Sequence, residues 1–147
     1  MIQFVKGDIF QSDCEAFVNP VNCVGTMGKG LALAFREKFP ASMFADYQEA
    51  CKRGTLQVGK VHVWLNNNGP HIINFPTKKH WRDNSRLEWI TAGLADLARI
   101  IHENHLPSVA IPGIGCGLGG LAWDDVKAEL VKFADLVPNT RVVVYEP

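Results

Sequence analysis

The stretch Val109-Ala110-Ile111-Pro112-Gly113-Ile114-Gly115-Cys116-Gly117-Leu118-Gly119-Gly120 joins a short apolar run to a glycine-rich loop. Its first three residues are typical of a buried strand, and the segment from Trp123 to Val137 has the pattern of a helix, with acidic residues in its first turn. Glycine between a strand and a helix leaves backbone N–H groups accessible to an anion, because no Cβ stands in the way. The stretch predicts an α/β fold. Taken alone, it fits a phosphate-binding loop and a tight ligand-free turn equally well.

The rest of the chain repeats this alternation of strands and helices. Apolar segments that favour strands lie at residues 2–5, 15–18, 61–65, 72–75, 109–111 and 141–145. Helical periodicity follows Leu31, continues from Pro40 to Gly54, and returns after Ser85, which forms a capping-box pattern with Glu88. The alternation predicts one domain over residues 1–147. Its fold would be a three-layer α/β/α sandwich with a mostly parallel sheet and an antiparallel portion from the strand pair at 61–75.

A second small-residue loop, Gly25-Thr26-Met27-Gly28-Lys29-Gly30, follows Asn19-Pro20-Val21-Asn22 and precedes a helix. Two such loops in one chain favour an anionic ligand over a pair of plain turns. The glycine spacing at 113–119 is superficially that of a dinucleotide-binding fingerprint, but that motif belongs to the first strand-to-helix turn. A Walker A loop is excluded, because no Gly-Lys pair is followed by Ser or Thr.

Composition limits the remaining classes. Lys and Arg together number 15, as do Asp and Glu, so a nucleic-acid contact would need a local basic patch rather than a global field. The four cysteines have no zinc-site or disulfide spacing, and the histidines share no ligand spacing with them, so we assign no metal and no cofactor. The first residues show no leader pattern, and no apolar run has transmembrane length. We therefore expect a cytoplasmic protein with no membrane partner.

Three motifs resemble those of a known family. Val5-Lys6-Gly7-Asp8-Ile9, Val18-Asn19-Pro20-Val21-Asn22 and Ile111-Pro112-Gly113-Ile114-Gly115-Cys116-Gly117-Leu118 occur in the order and at the spacing of the macrodomain family. The resemblance implies that ADP-ribose is the ligand. Asp8 and the Ile9 amide would contact adenine, Asn22 would lie near the distal ribose, and the two loops would enclose the diphosphate. The implied contacts are Asp8, Ile9, Asn22, Gly25, Thr26, Met27, Gly28, Gly30, Gly113, Ile114, Gly115, Cys116, Gly117, Leu118 and Gly119.

Without the family match, Asp8 and Asn22 would be interpreted as cap or turn residues. Cys116 has no base partner evident in the sequence, and a small packed residue is the better interpretation than a nucleophile.

The segment Asn74-Phe75-Pro76-Thr77-Lys78-Lys79-His80-Trp81-Arg82 is similar to one branch of the family. That branch contains a glycohydrolase of glutamate-modified proteins and the DNA ADP-ribosyl glycohydrolases, which are antitoxins of DarT-type toxins. The resemblance implies that Lys78 is the catalytic residue. An uncharged lysine can attack an open-chain sugar aldehyde, and a charged one can act as a proton donor or a positioned cation. The protein-directed enzyme has an aspartate where this chain has Gly119, so the departure favours the DNA-directed relatives.

Basic and aromatic side chains are interleaved after Lys78. Lys79, His80, Trp81 and Arg82 are candidates for contacting single-stranded nucleic acid, in which phosphates meet cations and a base stacks on an indole. A solvated loop with Trp81 folded onto the core would have the same sequence.

The resemblance thus implies a hydrolase that removes ADP-ribose from a modified macromolecule, with thymidine in single-stranded DNA as the expected substrate and a DarT-type toxin as the expected partner. Three alternatives stay open: a non-catalytic reader of ADP-ribose, an O-acetyl-ADP-ribose deacetylase, and a hydrolase of ADP-ribosylated protein glutamate.

Overall fold

Six strands form one mixed sheet in the computed structural model, which describes all of residues 1–147. They are β1 (Ile2–Val5), β2 (Ala16–Val21), β3 (His62–Trp64), β4 (His71–Pro76), β5 (Ser108–Pro112) and β6 (Arg141–Tyr145). Their order across the sheet is β1-β6-β5-β2-β4-β3, and only the β3–β4 pair is antiparallel. The predicted mostly parallel sheet with one antiparallel portion is confirmed.

Four helices cover the two faces of this sheet. They are α1 (Gly30–Lys38), α2 (Ala41–Arg53), α3 (Leu87–Glu103) and α4 (Trp123–Ala134), and a short 3-10 helix spans Ile9–Gln11. α4 ends at Ala134 rather than at the predicted Val137, which is buried in the core beyond the helix. None of the helices combines the length and apolar character needed to cross a membrane.

The sheet separates two hydrophobic cores, which confirms the three-layer sandwich. α1 and α2 contribute Phe35 and Tyr47 to one core, and α3 and α4 contribute Leu97 and Leu130 to the other. Because successive side chains of a strand point to opposite faces, Ile72 packs in the first core and Ile73 in the second. The central strand β5 is buried at all of its residues, as expected for a strand covered by helices on both sides.

Strand β2 extends beyond the predicted segment 15–18, since it also includes Asn19, Pro20 and Val21. The Val21 carbonyl accepts a hydrogen bond from Thr77 N, so Val21 faces β4 and the nitrogen of Pro20 faces the β5 side. β2 pairs with β5 only through Ala16 and Phe17. Proline is tolerated at this position because no β5 acceptor lies opposite its nitrogen.

The capping box predicted from Ser85 and Glu88 is wrong. α3 begins at Leu87, Arg86 occupies the N-cap position, and no side chain caps the helix. Ser85 is instead used in a tertiary contact, because its backbone N–H donates to Gly119 O at 2.9 Å and its side chain is buried. The local pattern was overridden by packing against the glycine loop.

Candidate functional site

A cleft of about 830 Å³ opens at the carboxyl edge of the sheet. β1, β2, β4, β5 and β6 are mutually parallel, so the segments that leave these five strands meet there. The cleft lies where β2 and β5 diverge. In open α/β sheets this is the point at which ligands bind. Its volume is within the range of about 300–1,000 Å³ that small-molecule sites occupy.

Most of the residues singled out from the sequence line this cleft. They are Asp8, Ile9, Asn22, Thr26, Met27, Gly28, Gly30, Lys78, Trp81, Arg82, Gly113, Gly115, Gly117, Leu118 and Gly119. The structure therefore brings the three motifs and the segment after β4 together around one cavity.

Three of the residues expected to contact a ligand lie outside the cleft lining. The carbonyl of Gly25 accepts a hydrogen bond from Gln48 Nε2 at 3.1 Å, so this residue packs against α2. Ile114 is fully buried in the core beneath α3 and α4. Cys116 packs against the same core, and burial raises the pKa of its thiol. A thiol with a raised pKa is a poor nucleophile, which agrees with the interpretation of Cys116 as a packing residue.

The late glycine loop presents backbone donors to the cleft. The amide groups of Gly117, Leu118 and Gly119 make no hydrogen bond within the protein. Gly115 has a φ of +77°, a conformation that favours glycine, and its carbonyl accepts from Leu121 N at 2.9 Å. This turn exposes three consecutive amides, which suit an anion.

Gly119 is required for a steric reason. A Cβ placed on it would collide with Ser85 Oγ and would lie 2.5 Å from the carbonyl oxygen of Gly115. The position noted in the sequence as lacking an acid therefore has no room for any side chain.

The early loop is held in shape by Asn22. Its Oδ1 accepts from Tyr47 OH at 2.7 Å and Val24 N at 3.1 Å, and its Nδ2 donates to Thr26 Oγ1 at 2.8 Å. Burial raises the pKa of Tyr47, so the phenol keeps its proton and remains a donor. Asn22 borders the cleft, but its side chain is engaged in ordering the loop.

The same loop leads into the N-terminus of α1, where the amides of Gly28, Lys29 and Gly30 make no hydrogen bond within the protein. A helix N-terminus with free amides attracts an anion. The two loops approach each other, because a Cβ placed on Gly30 would lie 3.4 Å from Leu118 Cδ1. Exposed donors from both loops therefore converge on one part of the cleft.

Asp8 lies in the segment that leaves β1. Its Oδ1 accepts from Phe10 N at 2.9 Å and caps the 3-10 helix. The second carboxylate oxygen makes no hydrogen bond within the protein. Asp8 therefore serves as a cap and also keeps an acceptor at the cleft.

Lys78 follows β4 on a backbone that is fixed at both sides. Thr77 N donates to Val21 O at 2.9 Å, and Cys23 N donates to Lys79 O at 3.0 Å. The half-buried Lys78 side chain donates from Nζ to Trp81 O at 3.0 Å. A primary amine is thus held in the wall of the cleft that both loops line.

The turn after Lys78 places Trp81 at the rim of the cleft. Trp81 is 51% exposed, so the alternative that it folds onto the core is wrong. The guanidinium of Arg82 lies 5.2 Å from the centre of its indole ring, and the His80 ring lies 5.0 Å away. His80 and Lys79 do not line the cleft.

Sequence reasoning missed the part of the cleft that the C-terminus forms. Tyr145, Glu146 and Pro147 line it, beside Gly7 and Asp8. The parallel pairing of β1 with β6 explains this, because Glu146 N donates to Val5 O at 2.9 Å and continues the ladder past both strands. The apolar run at 141–145 was recognised, but its neighbour in the sheet was not predictable from spacing alone.

Further residues that were not among the candidate site residues also line the cleft: Pro20, Val21, Lys29, Leu31, Ala32, Thr77, Asp83 and Pro112.

The sandwich and this cleft define an α/β/α protein that is built to hold an anionic ligand across the ends of parallel strands. Residues 18–130 match the family model described as Macro domain, and the chain belongs to the macrodomain family.

Among known proteins, the DNA ADP-ribosyl glycohydrolase of Mycobacterium tuberculosis is 51% identical over 100% of this chain and 42% of its own length. The solved macrodomain of Mycobacterium tuberculosis DarG is 50% identical and superposes with a TM-score of 0.94, covering 100% of this chain and 98% of that one. Thermosipho africanus DarTG, solved in complex with ADP-ribose, is 31% identical with a TM-score of 0.91, covering 99% of this chain and 41% of that one. The chain thus spans about two fifths of the length of the curated relative.

Proposed function

We propose that this protein hydrolyses the glycosidic bond between ADP-ribose and thymidine in single-stranded DNA. One observation carries the proposal: Lys78 lies in the wall of the cleft that both glycine loops line. The chain that presents this lysine is 51% identical to a DNA ADP-ribosyl glycohydrolase. We assign the reaction to residues 1–147, acting as one macrodomain, although the named relative is longer.

The ligand assignment rests on the distribution of donors in the cleft. The free amides of the two loops suit the oxygens of a diphosphate, and the α1 dipole adds to the attraction. Asp8 and Ile9 lie in the segment after β1, where the free carboxylate oxygen can accept from the adenine amino group. The complex of Thermosipho africanus DarTG with ADP-ribose supports the same ligand for this fold.

The chemistry is proposed to involve Lys78 at the anomeric carbon of the distal ribose. In one route the uncharged amine attacks the anomeric carbon, the bond to the base breaks, and the base takes up a proton. The lysine-bound sugar then opens to an imine, which water hydrolyses to release ADP-ribose and the free amine. In the other route the ammonium gives its proton to the departing base while water adds to the sugar. Borohydride distinguishes them, because reduction traps a Lys78 adduct only in the first route.

Substrate choice is proposed to follow from Gly119. A lysine–aspartate pair, as in the glutamate-directed relatives, would need a carboxylate at this position, and Ser85 and Gly115 leave no space for one. Single-stranded DNA fits the rim instead, since Trp81 is exposed beside Lys78 and carries the Arg82 cation on its ring. A base leaving the stack can lie against such a surface.

The proposal is tested by offering two substrates to the purified protein. An oligonucleotide carrying ADP-ribosyl-thymidine should be hydrolysed, and a protein carrying ADP-ribosyl-glutamate should not. Lys78→Ala should abolish hydrolysis and bind ADP-ribose in calorimetry nearly as the wild type does. Lys60→Ala, an exposed lysine that does not line the cleft, is the matched control and should change neither quantity. Failure of the wild type on both substrates would favour a reader module, and full activity of Lys78→Ala would remove the role of this lysine.

We further propose that the protein counteracts a DarT-type toxin in the cytoplasm. A relative from Thermosipho africanus is a fusion of a DNA ADP-ribosyl transferase with a DNA ADP-ribosyl glycohydrolase, and this fusion supports the pairing of the two activities. All four cysteines are free thiols, which suits a reducing compartment. Co-expression with such a toxin should restore growth for the wild type and not for Lys78→Ala.

A further inference from the structure

A second cavity of about 460 Å³ lies beside the main cleft. It is lined by Lys79, Asp83, Asn84, Ser85, Arg86 and Trp89. Asp83 lines both cavities. Of the two consecutive lysines, Lys78 lines the main cleft and Lys79 lines the second cavity. The Ser85–Gly119 contact forms part of the wall between the two. The two cavities are therefore neighbours.

Two cations gather around one indole in this cavity. Lys79 Nζ lies 5.7 Å from the centre of the Trp89 ring, and Arg86 Cζ lies 5.4 Å from the same point. Arg86 also pairs with Glu88 at 3.4 Å, but both side chains are about two-thirds exposed, so the pair is weak. The Asp83 carboxylate is engaged by the backbone N–H of His80 at 3.0 Å. This carboxylate keeps its negative charge, so the two cations and one anion that line the cavity give it a formal charge of +1.

An unpartnered hydroxyl adds an independent indication of a ligand. Ser85 is only 6% exposed, and its Oγ has no hydrogen-bond partner. A buried polar group without a partner is costly. Because Ser85 borders this cavity, a ligand bound there can complete the hydrogen bond once the enclosed hydroxyl turns toward it. α3 begins two residues later with no side-chain cap, which adds the positive end of a helix to the same cavity.

We propose that the second cavity binds a phosphodiester of the DNA strand, next to the ADP-ribosylated base. The inference rests on the proposed function and names the part of the site that recognises the polymer. An ammonium, a guanidinium, a hydroxyl and a helix N-terminus are all donors, and together they suit the oxygens of a phosphate. Trp89 contributes by holding the two cations on its ring rather than by stacking a base, because those cations already lie against it.

The test compares two double variants on two substrates. Lys79→Ala/Arg86→Ala removes both cations of the cavity. Lys52→Ala/Arg53→Ala removes an equal charge from the end of α2, where Arg53 likewise pairs with a glutamate, Glu49, at the surface. The substrates are an ADP-ribosylated oligonucleotide and the ADP-ribosylated thymidine nucleoside, which carries no phosphodiester. Affinity for ADP-ribose alone is measured in parallel.

The cavity variant should lose about tenfold or more in kcat/KM on the oligonucleotide, the effect of one or two charge-assisted hydrogen bonds. Its slope of log affinity for the oligonucleotide against log salt should fall by about 0.7–1.4. Hydrolysis of the nucleoside and ADP-ribose binding should stay near wild type, as should every quantity in the α2 control.

Two outcomes overturn the inference. Equal loss on nucleoside and oligonucleotide would mean that these cations serve ADP-ribose itself, and no loss on either would mean that the cavity is unused. If the wild type hydrolyses neither substrate, the proposed function fails. The same variants are then compared for binding of the unmodified oligonucleotide by fluorescence anisotropy, where equal affinity in both variants would also overturn the cavity assignment.

Discussion

Replacing Gly119 by alanine is the sharpest perturbation that the structure offers. The added Cβ would collide with Ser85 Oγ, and it would also lie 2.5 Å from Gly115 O and 3.0 Å from the Gly115 carbonyl carbon. Moving the serine side chain relieves only the first contact, because the other two involve backbone. The loop itself must shift. Overpacking of this kind costs about 1–3 kcal/mol in the free energy of unfolding.

For a chain of this size, that cost lowers the melting temperature by about 2–12 °C. The free amides of Gly117, Leu118 and Gly119 move with the loop, so we expect ADP-ribose affinity to fall by at least about tenfold, the equivalent of one charge-assisted hydrogen bond. Thermal denaturation and calorimetry measure the two effects.

Gly117→Ala is the matched control in the same loop. A Cβ at Gly117 meets no atom within 4 Å, so this variant should melt with the wild type. Ser85→Ala/Gly119→Ala should recover only part of the lost stability, since the clash with Gly115 persists. A Gly119→Ala protein that melts and binds ADP-ribose as the wild type does would refute the steric reasoning and reopen this position to an acidic residue.

Three further predictions concern single groups. Asn22→Ala removes one acceptor of Tyr47 OH, the acceptor of Val24 N and the donor to Thr26, so the free energy of unfolding should fall by about 1–3 kcal/mol in urea titration, together with ADP-ribose affinity. Cys116→Ala should keep wild-type turnover, and the native thiol should react slowly with iodoacetamide at neutral pH, because burial raises its pKa. The hydrogen bond and charge of Arg141 lower the pKa of Asp13, so stabilisation by this pair is present above the ordinary aspartate pKa and lost as pH falls through the lowered value. NMR titration should show an upward shift of the Asp13 pKa in Arg141→Gln.

The sequence predicted the layers of the fold because the strands and helices carry strong periodic patterns. Buried runs such as 109–111 and the apolar face of α3 leave little choice of element. Its errors lie where tertiary contacts replaced local ones. Ser85 has the spacing of a helix cap, yet its N–H binds Gly119, and Pro20 continues a strand because β5 has already diverged. Neither distant neighbour is visible in a local pattern.

The sequence motifs of the candidate site could be predicted, but the other segments that form the walls of the cleft could not. The two loops were found from their glycine pattern, Asp8 and Lys78 were found by resemblance, and all of these segments border one cleft. The C-terminal wall and the Trp89 cavity depend on strand order and on the start of α3, which residue spacing does not encode. Trp89 in particular lies outside the set of buried residues that marks the apolar face of α3.

In the proposed function, the backbone of the two loops binds the ligand and a side chain carries out the chemistry. The loops supply amides, which no substitution except proline removes, so other single replacements there are expected to act by steric displacement, as at Gly119. Lys78 is proposed to supply the reactive group from the end of β4, where its backbone is hydrogen-bonded to β2 and to Cys23 through its neighbours Thr77 and Lys79. Loss of Lys78 should therefore separate catalysis from binding, whereas a clash in the loop should remove both. The two variants together distinguish a hydrolase from a reader more sharply than either one alone.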